Sequence, residues 1–332
     1  MDASHAPLLQ VEGLKVEFRT RRGTATVLND VGFTLAHGET LGIVGESGCG
    51  KSMTALAIMR LIPSPPGRIC AGQVRLKGED LVTASEARMR EVRGNEISMI
   101  FQEPMTSLNP VFSVGEQIGE SLRLHRKLRG REARERTIKM LKAVGIAAAE
   151  QRIDQYPHQL SGGMRQRVMI AMALACRPGV LIADEPTTAL DVTVQAQIFD
   201  LLRELQAQQG TAIMLITHDM GAISEMADRV AVMYGGRVVE DGSATAILAD
   251  PEHPYTQGLI ACLPGLDDRP GEKRAPLAEI PGVVPSIWEL QQGCTFVQRC
   301  AHAMPRCRSE VPPVFEVAPG HRSACWLHEA GR

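Results

Sequence analysis

The chain has 332 residues, 44% of them hydrophobic and 22% charged, which fits one large globular domain or two ordinary ones and excludes wholesale disorder. Lys+Arg 36 against Asp+Glu 38 gives a formal net charge of −2, and aromatics make up only 4%. A protein that lives on nucleic acid needs a basic surface or a stacking platform, so neither composition points there. The longest unbroken apolar run, Val168–Cys176, falls well short of the ~20 residues of a membrane-spanning helix. No basic segment followed by an apolar stretch opens the sequence, so no secretory signal is expected. The eight cysteines are then expected to be thiols or metal ligands rather than a disulfide framework.

In chain order, residues 8–18 alternate around Val11, Val16 and Phe18 and predict a strand. Leu41-Gly42-Ile43-Val44 is a short apolar strand, followed by glycines and a helical pattern from Ser52 to Leu61 that Pro63, Pro65, Pro66 and Gly67 stop. Further apolar strands are predicted at Ile97–Phe101, Val180–Ala183 and Ala212–Ile216, and a helix over Arg165–Cys176. Uninterrupted apolar strands belong to a sheet covered on both faces, so the fold class is α/β. Between Phe101 and Ser161 the sequence turns polar and helix-favouring, as a helical subdomain inserted at about 104–165 would. Its basic stretch 123–142 reads either as a solvated helical face or as a contact for anionic lipid or a partner. Beyond about residue 245 a helix with Tyr255, Leu259 and Leu263 on one face is expected. It leads into a proline-rich tail with few regular elements.

Gly45-Glu46-Ser47-Gly48-Cys49-Gly50-Lys51-Ser52 fits G-x-x-x-x-G-K-[ST] between a strand and a helix. Glycines let the backbone wrap a phosphate, so that successive N–H groups and the helix N-terminus face the anion. Lys51 would reach the β/γ-phosphates and the Ser52 hydroxyl would ligate Mg²⁺. Asp184 and Glu185 follow the strand Val180–Ala183 at its C-terminal edge, where α/β sheets bind ligands. Asp184 suits Mg²⁺ and Glu185 suits a general base for the attacking water. Leu160-Ser161-Gly162-Gly163-Met164 opens a second glycine-rich helix start, which one nucleotide does not need from the same subunit; it is expected to serve a facing subunit. Gln102 and His218 end strands at the ligand edge, where alone each would read as structural as readily as functional. Cys49, beside a helix N-terminus, reads either as a thiol of lowered pKa or as a small neutral filler.

Phe18, Gly45–Ser52, Gln102, Leu160–Met164, Asp184-Glu185, Ala189-Leu190-Asp191 and His218 together resemble the ordered motif set of ATP-binding cassette (ABC) ATPases over about residues 8–245. The resemblance implies a P-loop, RecA-like core and ATP held between the P-loop of one cassette and the signature loop of another. It implies an ATP contact for each of Gly45, Glu46, Ser47, Gly48, Cys49, Gly50, Lys51, Ser52 and Met53, and stacking on adenine by Phe18. Mg²⁺ would be held by Ser52, Gln102 and Asp184, with Gln102 also sensing the attacking water. Ser161, Gly162 and Gly163 would meet the γ-phosphate in trans, and Asp191 would arrange the dimer contact. Glu185, His218, Lys51 and Gln102 would form the catalytic set. Met164 stands where many relatives have Gln, a change that leaves the backbone and Ser161 donors in place.

Phe101–Pro110, the Ser-Gly-Gly-Met context of Met164, and His253-Pro254-Tyr255-Thr256 resemble the oligopeptide/dipeptide importer branch. That resemblance implies import of di- or oligopeptides, with nickel or glutathione as branch alternatives. A soluble, non-transport ABC ATPase is the less favoured class. The implied partners are a second, homologous ATPase subunit, two transmembrane permeases and an extracytoplasmic binding protein, with no nucleic acid. The implied location is the cytoplasmic face of the cell membrane. Residues 246–332 would form the branch's C-terminal extension, in which Cys294, Cys300, Cys307 and Cys325 resemble a set associated with a [4Fe–4S] cluster. Zinc or unliganded thiols are the alternatives.

Overall fold

The computed structural model of the chain describes residues 7–102, 107–187, 192–263, 279–290 and 292–329. Its strands are β1 (Leu9–Thr20), β2 (Gly23–Leu35), β3 (Thr40–Val44), β4 (Gly67–Leu76), β5 (Glu79–Asp80), β6 (Ile97–Ile100), β7 (Val180–Asp184), β8 (Ala212–Ile216), β9 (Arg229–Tyr234), β10 (Arg237–Ser243), β11 (Phe315–Ala318) and β12 (His321–Ser323). The helices are α1 (Lys51–Ile58), α2 (Glu86–Val92), α3 (Val114–Arg126), α4 (Gly130–Ala143), α5 (Ala149–Arg152), α6 (Gly162–Leu174), α7 (Val192–Gln209), α8 (Met220–Met226), α9 (Ala244–Ala249) and α10 (Pro254–Ala261). The expected strands all form, within two residues of their expected ends. They divide between two compact units.

The first unit comprises Met1–Gln10, Thr34–Thr40 and Arg75–Ile216. Strands β6, β7 and β8 pair in parallel, Ile97 opposite Val180 and Val180 opposite Ala212. Every residue of these strands is buried, as a strand covered on both faces requires. The helical stretch between β6 and β7 carries α3, whose Ser113–Glu116 capping box satisfies two end groups reciprocally, and α4. The basic stretch behaves largely as a solvated face: Arg131 pairs with Glu135, Arg134 with Asp154 and Lys142 with Glu150, all substantially exposed.

The second unit comprises Val11–Phe33, Leu41–Val74 and Thr217–Arg332. Here β3 pairs in parallel with β9, and β9, β10, β12 and β11 continue antiparallel in that order. Helix α8 lies close against β3: a Cβ on Gly42 would come within 2.4 Å of the Ile223 Cδ1 and 3.3 Å of the Ala227 Cβ, so the helix packs tightly over the glycine. The tail adds strands to this sheet because β10 carries Glu240 and Asp241 as anchors. Buried Glu240 accepts from the N–H of Glu252 (2.7 Å) and of His253 (3.0 Å), and pairs with Nε2 of His321 at 2.7 Å. Asp241 accepts from Arg322 at 2.8 and 2.9 Å. The expected helix near 255–263 is α10, but it ends at Ala261. Its buried residues are Tyr255 and Thr256, and Leu263 lies beyond it and exposed.

Candidate functional site

In the second unit, β3 ends at Val44 and the chain wraps through Gly45–Gly50 before α1 begins at Lys51. Gly45, Gly48 and Gly50 all have positive φ, at 149°, 81° and 107°. At Gly45 a side chain is excluded on space as well, since a Cβ would sit 2.2 Å from the Met233 carbonyl oxygen. The loop is therefore a preformed backbone cradle. Lys51 is buried, and its Nζ donates to the carbonyls of Gly45 (2.7 Å) and Glu46 (3.1 Å), placing a cation at the loop's centre. An anion such as a triphosphate is the ligand this donor set fits, and Ser52, one residue on, fits a hard cation bound with it.

His218 belongs to the same unit. Thr217, just before it, donates its N–H to Ile43 of β3 (3.2 Å), and Asp219, just after it, caps α8 through the N–H of Gly221 (2.8 Å). His218 is thus an exposed side chain held between two fixed backbone points. Phe18 is half-buried beside Gly67, where a Cβ would come within 2.9 Å of its ring.

In the first unit, Asp184 is the buried last residue of β7 and Glu185 leaves the strand at a φ of 48°. A left-handed conformation at a non-glycine residue costs ~1–3 kcal/mol and persists where its surroundings over-determine it. Two contacts do so here. The Glu185 N–H donates to Ile216 of β8 (2.8 Å), and Gln102 Nε2 donates to Glu185 Oε2 (3.1 Å). Ser161 caps α6 by accepting from the N–H of Met164 (3.4 Å), and Gln166 of α6 donates to the carbonyl of Pro186. The glycine-rich helix start thus shares a hydrogen-bonded connection with the residue after Glu185. Ser161 and Gly162 are exposed, and a Cβ on Gly162 would meet nothing within 4 Å, which leaves that surface open. Asp191, with Ala189 and Leu190, lies outside the described residues, as do Glu103–Thr106.

At Cys49 the structure favours one of the two readings. The residue is 1% exposed, and burial pushes its thiol pKa up even though Lys51 and the helix start pull it down. Desolvation outweighs the helix end, so Cys49 is the neutral filler and not a reactive thiolate.

Cys294, Cys300, Cys307 and Cys325 gather round one cavity of about 20 Å³, with His253, His302 and Trp326 also in its wall. All four are free thiols. Burial and one another's charge raise Cys294 and Cys325 to about 11. Among the described residues, no group of three or more His, Cys, Asp or Glu side chains is placed to hold a metal ion. The metal expectation thus meets a shared cavity without a closed ligand set.

Residues 28–188 match the family model described as ABC transporter, and residues 239–307 match the oligopeptide/dipeptide transporter C-terminal region. The probable peptide ABC transporter ATP-binding protein of Sinorhizobium fredii is 52% identical over 319 residues, covering 96% of this chain and 94% of that protein. The putative peptide import ATP-binding protein of Brucella abortus is 50% identical over 332 residues, covering 97% of each. The chain belongs to the ABC transporter ATP-binding protein family. A dimeric bacterial ABC transporter cassette is similar in structure, with a TM-score of 0.64 and 27% identity over 71% of this chain and 98% of that one. A post-hydrolysis state of such a cassette, bound to ADP and Pi, matches with a TM-score of 0.65 and 26% identity over the same shares. On this ABC chain the first family match contains the phosphate loop, Gln102, the signature loop and Asp184-Glu185. The second contains Glu240, His253, Tyr255 and three of the four tail cysteines; Cys325 lies beyond it.

Two contacts of the site were not legible in the motifs. Arg299, from the tail, bonds both carboxylate oxygens of Glu46, and the Tyr255 hydroxyl accepts from the Glu46 N–H. The signal available was Glu46 itself: a carboxylate inside an anion-binding loop calls for a cation nearby.

Proposed function

We propose that this chain hydrolyses ATP to energise a bacterial-type importer of di- and oligopeptides. The observation that carries the reading is the joining, in one chain, of an ABC cassette to the C-terminal region of oligopeptide/dipeptide transporters. It is supported by relatives named for peptide import at 50% identity over nearly the whole length.

In this reading the cradle Gly45–Met53 wraps the ATP phosphates, Lys51 turns from its own loop carbonyls to the β/γ-phosphates, and Phe18 meets the adenine. Ser52, Asp184 and Gln102 would hold Mg²⁺, which would neutralise charge on the phosphates when bound. Glu185 takes a proton from the attacking water while Gln102 orients the carboxylate, and His218 holds the γ-phosphate. Ser161–Gly163 and Asp191 act across a dimer with a second, homologous ATPase subunit. Among the described residues no helix is long and apolar enough to cross a membrane. In this reading, from the importer-branch likeness, coupling rests on two permease subunits, fed by an extracytoplasmic binding protein, with this chain peripheral on the cytoplasmic side.

The tail cysteines supply the donors a [4Fe–4S] cluster takes, and their gathering round one cavity supports that use. Zinc and unliganded thiols are the alternatives; among the described residues no three donors are placed to hold a metal ion, which weighs against the cluster and against zinc alike. Iron, zinc and acid-labile sulfide content of protein purified without oxygen decides between cluster, zinc and free thiols.

The test of the transport reading is uptake of labelled di-, tri- and pentapeptides, with nickel in parallel, by native cells carrying Glu185→Gln. Selective loss of peptide uptake is expected. Loss of nickel uptake alone would transfer the reading to a metal importer. Undiminished uptake of all, with the variant expressed and no second importer present, would end the importer reading.

A further inference from the structure

We propose that Arg299 and Tyr255, both from the C-terminal extension, are positioning residues of the phosphate loop and set its affinity for ATP by holding Glu46. The proposal rests on Gly45–Ser52 being an ATP site. Glu46 brings a carboxylate into a loop built to receive phosphates, where like charges repel by an amount that grows as water is excluded.

The structure answers that charge from the tail. Arg299 Nη1 lies 2.6 Å from one Glu46 oxygen and Nη2 lies 3.1 Å from the other, a two-point grip whose side chain is only 4% exposed. Its remaining donors reach the carbonyls of Pro281 (2.8 Å) and Ile280 (3.2 Å), so the guanidinium is fixed independently of Glu46. The Glu46 N–H is taken by the Tyr255 hydroxyl at 2.8 Å. Burial raises the Tyr255 pKa, which keeps that oxygen a neutral phenol. The Glu46 carbonyl, in turn, holds Lys51 Nζ. Glu46 is thus gripped at its N–H and carboxylate by the extension while its carbonyl anchors the phosphate-binding lysine.

The mount is rigid. Phe296 packs edge-on to Tyr234 at 5.1 Å and tilted against Tyr255 at 5.3 Å, fixing the segment that leads to Arg299. Thr295 fills the space over Gly235, where a Cβ would come within 2.8 Å of it. The same segment starts at Cys294 and ends at Cys300.

The test is titration of the purified full-length chain with a fluorescent Mg–ATP analogue, with a thermal melt on each variant. Arg299→Met leaves the Glu46 carboxylate uncompensated and should weaken binding about ten-fold. Adding Glu46→Gln to it removes the repelling charge and should return affinity to within about three-fold of the native value, although the grip is still absent. A merely structural role for Arg299 would not be relieved by the second change. Tyr255→Phe, which keeps the ring, should weaken binding about three-fold with little loss in the melt. It carries the test if Arg299→Met does not fold. Affinities within two-fold of native for Arg299→Met (or, failing that, for Tyr255→Phe), or a double variant no tighter than the single, would overturn the proposal. Lys51→Ala separates the two levels: if it abolishes binding while Arg299→Met does nothing, only the clamp falls. If neither variant changes binding, the phosphate-loop reading falls with it.

Discussion

Gln102 donates its side-chain N–H to the Glu185 carboxylate at 3.1 Å, so the glutamine after β6 holds the acid after β7 although 83 residues separate them. The two strands are parallel neighbours, which brings their C-terminal ends to one edge. The bond orients the carboxylate on a backbone already bent into a left-handed turn.

In the role of general base proposed for it, Glu185 would contribute about 10²–10⁴-fold to rate. Glu185→Gln should therefore cut ATP turnover by that order while nucleotide binding is retained, because the carboxamide keeps the shape but cannot take a proton. Gln102→Ala removes only the orientation and should cost about ten-fold in kcat. Steady-state hydrolysis alongside a binding titration checks both; an unchanged kcat in Glu185→Gln would remove it from the chemistry.

Ser161 offers a different separation. Its hydroxyl caps α6, and aspartate caps a helix as well as serine does, with the added benefit of a negative charge at the positive helix end. Ser161→Asp should leave the melting temperature unchanged or slightly raised. If the loop meets a partner cassette's γ-phosphate as proposed, a carboxylate there should nevertheless repel it, abolishing ATP-driven dimerisation and lowering turnover more than ten-fold. Analytical ultracentrifugation with and without ATP, beside a thermal melt, reads the two effects apart. A loop with no role in trans would show neither loss.

Cys49 yields a labelling prediction. With its thiol buried and its pKa pushed up, brief treatment with iodoacetamide at neutral pH should modify exposed Cys70 well before Cys49. Peptide mass mapping over a time course checks the order. Cys49→Ala should keep the ATPase, since a small apolar filler is all the position requires.

These contrasts show what the sequence carries and what it hides. The strand-loop-helix at Leu41–Ile58 was legible because its requirements are local: an apolar run for a strand covered on both faces, then glycines where φ turns positive. The Asp184-Glu185 pair was legible for the same reason. The Cys49 pKa was not, because the helix start that lowers it is visible in sequence while the burial that raises it is a property of packing. The Arg299–Glu46 pair spans 253 residues, and nothing in a lone arginine between two cysteines announces its partner. The end of α10 was misplaced because apolar spacing extends to Leu263, whereas the burial that settles the helix centres on Tyr255 and Thr256.

His253 shows how such packing becomes pH dependence. Its Nδ1 accepts from the N–H of Tyr255 (3.1 Å), capping α10, while Nε2 is buried without a hydrogen-bond partner beside the thiol cavity. Burial, with a smaller contribution from the charge of His328, lowers its pKa to about 3. The unfolded chain binds a proton at this side chain below about pH 6.5, whereas the folded chain does not until far lower, so stability is full above 6.5 and declines as pH falls. Between 6.5 and 5 the loss from this one group is about 2 kcal/mol. His253→Asn keeps a capping oxygen and cannot titrate, so it should flatten the dependence of unfolding free energy on pH over that window by up to one proton's slope. Urea titrations at pH 7.0, 6.0 and 5.0 on native and variant protein measure it, these values being chosen to bracket the unfolded pKa of about 6.5. Parallel curves for the two proteins would show that His253 is not the titrating group.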